Sequence, residues 1–115
     1  MADQAEERVE ALRVFLDRHP GGWYHSDWEH LVDDLRTRGL LPEGGEEVVG
    51  RELEKARVRQ TLQGLGVQGL GPKRRESVAD AYGHLWELQN ASAEELAALP
   101  GLTKRIATDV VAALR

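Results

Sequence analysis

Two stretches of this sequence set glycines ahead of basic residues in a pattern that suits a bound anion. They are Val67-Gln68-Gly69-Leu70-Gly71-Pro72-Lys73-Arg74-Arg75 and Leu99-Pro100-Gly101-Leu102-Thr103-Lys104-Arg105-Ile106. Each runs apolar residue, spacer, Gly-Leu, small residue, then bases where a helix is expected to begin. The glycines permit a tight turn and remove the Cβ that would hold a ligand away from the backbone. A helix that follows such a turn starts with amides that have no intrahelical partner. Those amides and the positive end of the helix dipole favour an oxyanion such as phosphate. The candidate site is the amides of Gly69, Gly71, Gly101 and Thr103, with Leu70 and Leu102 folded back beneath the turns. Lys73, Arg74, Arg75, Lys104 and Arg105 supply the charge, free to reach flanking phosphates.

The elements that must position these residues are short helices. Gly69 and Gly101 lie 32 residues apart, a spacing that fits a duplicated helical hairpin with a connecting helix. Gly64, Gly66, Gly69 and Gly71 are too dense for any helix interior. Pro72 suits a first helical position, and a helix should run from there to Tyr82 and break at Gly83. His84 to Gln89 reads as a further short helix. Ser92 and Glu95 have capping-box spacing and open a helix through Leu99, which Pro100-Gly101 ends; Thr103 to Leu114 is the last. Upstream, residues 4–18 place Val9, Leu12, Phe15 and Leu16 at helical spacing, and His19 to Gly22 stops that helix. Ser26 with Glu29 predicts the cap of a second helix, with Asp27 in its first turn, Trp28, Leu31, Val32 and Leu35 inward, and Gly39 at its end. A third should span Glu46 to about Leu65. No alternating β pattern persists. The expected fold is all-α: a helical region of about three helices over residues 1–61, then a tandem of five short helices over 62–115.

The stretch VQGLGPKRRESVADAYGHLWELQNASAEELAALPGLTKRIATDVVAAL resembles a tandem helix-hairpin-helix domain. It is most similar to the one at the C-terminus of the excinuclease C subunit of bacterial nucleotide excision repair. The points of match are GLGPKRR, the Tyr82-Gly83 step, ASAEELAALPGL and the Lys104-Arg105 pair, over about residues 62–114. The resemblance implies sequence-independent binding of double-stranded or junction DNA through hairpin amides, by an accessory factor of repair or recombination beside a nuclease or helicase. Related tandem hairpins in some nucleases form dimer interfaces instead, so a homodimer or protein-interaction module is the alternative it leaves open. Two departures stand out. Thr103 occupies a place where many such motifs have glycine, and its hydroxyl is suited to capping the last helix or touching phosphate. Leu65-Gly66-Val67 adds a glycine, so the first helix of hairpin one is expected to be short or frayed.

Charge qualifies the DNA expectation. The formal net charge is −5, whereas strongly DNA-binding domains tend to be basic. Residues 1–66 hold 9 Lys and Arg against 14 Asp and Glu, and residues 67–115 hold 6 against 6, so the acidity sits outside the repeat. A few phosphate contacts with a shallow salt dependence are expected. Arg51, Lys55, Arg57 and Arg59 admit a helix-turn-helix variant, but the interleaved Glu47, Glu52 and Glu54 read as intrahelical partners, leaving a cap or a partner-docking surface. Trp28 and Trp86 read as core on apolar helix faces, with Trp23 and Tyr24 open between core and base stacking. Cysteine is absent, and His19, His25 and His30 lack ligand spacing, so no metal or other cofactor is expected. No carboxylate pair, phosphate-binding loop or nucleophile elbow supports an enzyme. The N-terminus lacks a secretion-signal layout and no apolar run nears the roughly 20 residues of a bilayer span, so the expected setting is cytoplasmic.

Overall fold

The computed structural model describes residues 3–115, and every regular element among them is a helix. In order these are α1 (Gln4–Arg18), α2 (His25–Thr37), α3 (Glu46–Gly64), α4 (Pro72–Ala81), α5 (Leu85–Gln89), α6 (Ala93–Ala97) and α7 (Lys104–Leu114). Two compact units divide the chain inside α3, one ending at Leu53 and the other covering Glu54–Arg115.

In the first unit, Asp3 caps α1 by accepting the Glu6 amide at 2.8 Å. Leu12, Phe15 and Leu16 of α1 are buried, as are Leu31, Val32 and Leu35 of α2, so the helical spacing reads correctly there. Val9, expected on the same face, is 63% exposed one turn before the buried stretch begins. The start of α2 also differs from expectation. Tyr24, not Ser26, is the N-cap, because its backbone N–H donates to Asp27 at 2.9 Å. Glu29, the expected reciprocal partner of Ser26, instead pairs with His25 at 2.8 Å. At the other end Leu40 donates to the Leu35 carbonyl and Gly39 to that of Arg36, a Schellman closure that buries Leu40 against the core.

The aromatic residues split. Trp23 sets its ring edge-on to Phe15 at 5.3 Å, and Trp28 is half-buried beside Gly50. Tyr24 is 82% and Trp86 63% exposed, so Trp86 is not the core residue its spacing suggests. The reason is length: the five residues of α5 can bury one side only, and Leu85 and Leu88 occupy it.

In the second unit a core of Val58, Leu62, Leu70, Val78, Leu88, Leu96, Leu102, Ile106 and Val110 draws on every helix from α3 onward. The first helix of hairpin one is not frayed; α3 continues unbroken to Gly64, and Gly66 at φ +69° turns the chain out of it. The third helix expected from Glu46 to about Leu65 is thus present, ending one residue sooner. Three of its charged residues, Glu52, Lys55 and Arg59, find partners on other helices. Glu52 takes Arg8 of α1 at 2.8 Å, and Arg59 donates twice to Glu76 of α4 at 2.7 Å. Lys55 reaches both Glu76 and Asp80. Glu76 is held below the usual carboxylate range, chiefly by its hydrogen bonds from Arg59 and against a desolvation cost; Arg59 is raised in turn. Lys55 and Arg59 therefore brace α3 to α4, which removes two of the four bases a helix-turn-helix face would need. No helix among the described residues is long and apolar enough to cross a membrane.

Candidate nucleic-acid interface

The sequence Val67–Gly71 becomes a turn between α3 and α4, and Ala98–Thr103 a turn between α6 and α7. Each is closed by one backbone bond at the same place: Leu70 donates to Val67 at 3.2 Å and Leu102 to Leu99 at 3.1 Å. Leu70 and Leu102 are 5% and 9% exposed, folded under their turns as anticipated. Gly69 at φ +88° and Gly101 at φ +80° occupy the left-handed region that residues with a Cβ rarely adopt. After the turns, Gly71 and Thr103 are the N-caps of α4 and α7, both in ordinary extended backbone. The threonine therefore costs nothing conformationally. Its Oγ1 accepts the Ile106 amide at 3.2 Å, the helix cap anticipated for it.

The basic residues behave in two ways. Lys73 and Lys104 are exposed at the two helix starts. The arginines, expected to be free for phosphate, are engaged with the turns themselves. Arg74 donates from Nε to the Gly101 carbonyl and from Nη1 to the Gly69 carbonyl, each at 2.7 Å. Arg75 donates to the Leu70 carbonyl at 3.1 Å. Arg105 donates to the Gln68 carbonyl and to Asp109, each at 2.9 Å. A further contact was not legible in the sequence: Ser77 Oγ donates to the Pro100 carbonyl at 3.0 Å, across 23 positions.

These side chains determine where the amides point. A trans peptide directs its N–H opposite to its C=O, and no peptide bond among the described residues is cis. The carbonyls of Gln68, Leu70 and Pro100 are taken by Arg105, Arg75 and Ser77. The N–H groups of the same three peptides belong to Gly69, Gly71 and Gly101, and each faces away from its clamp. Among the described residues none accepts from these three amides, nor from those of Thr103, Lys73, Arg74, Lys104 and Arg105. A carbonyl hydrogen-bonded to a cation polarises its peptide and strengthens the opposite N–H as a donor. Two clusters of fixed, outward, unsatisfied donors with a lysine beside each can take an oxyanion. Among the described residues no group of three or more His, Cys, Asp or Glu is placed to hold a metal ion.

Comparison with known proteins agrees with this fold. Residues 61–115 match the family described as a SAM-like helix-hairpin-helix tandem, and this part of the chain is a tandem helix-hairpin-helix domain. The chain is similar to UvrABC system protein C from several bacteria. It is 39% identical over 85 residues to that of Ectopseudomonas mendocina, covering 74% of this chain and 13% of the relative. The proteins from Photobacterium profundum and Vibrio cholerae are 34% and 30% identical over 86 residues, covering 75% of this chain and 13% of theirs. A stretch of 86 residues in a chain of 115 must include some of the first unit, so the similarity reaches further back than residue 62. The chain spans only about an eighth of the length of these relatives. No solved structure matches it.

Proposed function

We propose that residues 54–115 hold the sugar-phosphate backbone of double-stranded or junction DNA without reading its sequence. Each hairpin binds a phosphate oxygen with its amides: Gly69, Gly71, Lys73 and Arg74 in the first, Gly101, Thr103, Lys104 and Arg105 in the second. Lys73 and Lys104 contribute the mobile charge. Contacts of this kind position a protein on DNA and carry no base information. The observation that carries the proposal is that the amides of Gly69, Gly71 and Gly101 are unpartnered while the carbonyl behind each is clamped. The protein would act as an accessory factor in DNA repair or recombination, binding without cutting and working beside a nuclease or helicase. The likeness to UvrABC system protein C supports that setting.

Titration of fluorescent duplex and forked DNA at several salt concentrations tests this. With two lysines neutralising phosphates, log affinity should fall against log salt with a slope of about −2. Changing both Lys73 and Lys104 to Glu should weaken binding by roughly a hundredfold or more, from two lost and two reversed charges. Unchanged affinity in that variant, or no binding by the native chain at low salt, would remove the proposal. Light scattering on the same samples reports any dimer that takes the DNA's place.

A further inference from the structure

Arg74 occupies a position in the domain that a phosphate ligand would not need. Its guanidinium accounts for the carbonyls of Gly69 and Gly101 together, at 2.7 Å each. Those two carbonyls belong to equivalent peptides of the two hairpins, and the N–H groups of the same peptides, on Leu70 and Leu102, close the respective turns. A continuous line of hydrogen bonds results: Val67 carbonyl, Leu70 amide, Gly69 carbonyl, Arg74, Gly101 carbonyl, Leu102 amide, Leu99 carbonyl. Both turns are thereby fastened to one planar cation, and the Arg74 Cγ lies within van der Waals reach of a Cβ built on Gly101. Arg105, in the first turn of α7, reaches back to Gln68 of the first hairpin, so each hairpin's following helix grips the other hairpin.

We infer that the Arg74 side chain is a positioning group, not a phosphate ligand: its guanidinium ties the two turns together and so fixes the distance and angle between the two amide clusters, to one of which the Arg74 backbone N–H belongs. The consequence for DNA rests on the phosphate-binding function proposed above; the tie itself does not. With the turns fastened, the two clusters bind as one preorganised site, and the second phosphate contact is made without ordering a loose hairpin. Arginine presents fixed donors to the two carbonyls from two separate nitrogens, Nε and Nη1. Lysine keeps the charge but gathers its three donors on one compact, freely rotating nitrogen that cannot span the same two sites.

That difference supplies the test. In the DNA-free protein, exchange of the Leu70 and Leu102 amides should accelerate in both Arg74→Lys and Arg74→Gln, and stay at the native rate in Lys73→Gln. With duplex, Arg74→Lys and Arg74→Gln should lose affinity alike, by about tenfold, the order expected when hydrogen bonds from a charged donor are lost. Their salt slope should equal that of the native protein, because no phosphate contact has gone. Lys73→Gln should instead reduce the slope by about 1. Native-like exchange at both leucines in both Arg74 variants would overturn the tie. So would full affinity in Arg74→Lys together with a reduced slope in Arg74→Gln, the behaviour of a phosphate ligand. If native protein binds no DNA, exchange alone decides the tie, and the DNA function alone falls.

Discussion

The two hairpins share a pattern of residues but not a means of support. In the first, the successive carbonyls of Gln68, Gly69 and Leu70 accept from Arg105, Arg74 and Arg75. In the second, Pro100 and Gly101 accept from one hydroxyl and one arginine, and Thr103 caps α7 with its own side chain. Ion pairs between Arg59 and Glu76 and between Lys55 and Asp80 also brace the helices that flank the first turn. Around the second, the Arg105–Asp109 pair lies within α7, while α6 meets α7 through apolar residues such as Leu96 and Ile106. A duplicated motif can thus be kept in shape by charge in one copy and by capping and packing in the other.

The largest difference should appear at the corner glycines. Alanine in the left-handed region costs about 1–2 kcal/mol at either position. At Gly101 the new methyl would meet only Arg74 Cγ at 3.8 Å, an ordinary contact. At Gly69 it would lie 3.0 Å from an Arg105 Nη and 3.2 Å from Ile106 Cδ1, so the guanidinium must give by a few tenths of an ångström and its bond to the Gln68 carbonyl is weakened. Denaturant unfolding should therefore find Gly69→Ala costing about 1 kcal/mol more than Gly101→Ala, a part of the worth of that charged hydrogen bond. Equal losses would mean that Arg105 contributes nothing to the first turn.

The same residues show what a sequence can and cannot disclose. Turn glycines, buried leucines under them, the Ser92–Glu95 capping box and the ends of α1 were legible because each is a local rule of spacing. The cap on α7 was legible for the same reason. The tasks of the arginines were not. Arg74 to Gly101 spans 27 positions and Arg105 to Gln68 spans 37, and a base near a helix start looks identical whether it faces solvent or a neighbouring carbonyl. Trp86 misled for a related reason: helical spacing marks a face, while the length of α5 decides which member of that face is covered. Glu52, Lys55 and Arg59 of α3 paired across helices because α1 and α4 offered partners that no window along α3 could show.

A middle-sized effect should separate the two helix starts. Removing the Thr103 hydroxyl in Thr103→Ala leaves the Ile106 amide without its acceptor and should cost about 1 kcal/mol, read as a lower denaturation midpoint. Gly71 has no side chain to lose, and a Cβ there meets nothing within 4 Å. Gly71→Ser should consequently stabilise the chain by a few tenths of a kcal/mol by importing the cap of the second hairpin into the first. If Thr103→Ala is neutral, the second hairpin depends on packing alone.

The smallest effect concerns the ion pairs that distinguish the first hairpin, and acid is the means to expose it. Glu76 has a folded-state pKa below its unfolded value, mainly through the hydrogen bonds from Arg59. A depressed carboxyl contributes stability that is present above the unfolded pKa, near 4.3 for glutamate, and is lost as pH falls through the folded value. Glu76 is nearly half exposed, so solvent screening keeps its worth under about 1 kcal/mol. Native protein should accordingly be slightly more stable than Glu76→Gln at neutral pH, and the two midpoints should converge below about pH 4 as the carboxylate is protonated. Because the Arg105–Asp109 pair joins residues of a single helix, Asp109→Asn should leave the packing of the second hairpin intact and show a smaller gap at neutral pH. A gap for Asp109→Asn as large as that for Glu76→Gln would mean that charge braces both hairpins alike.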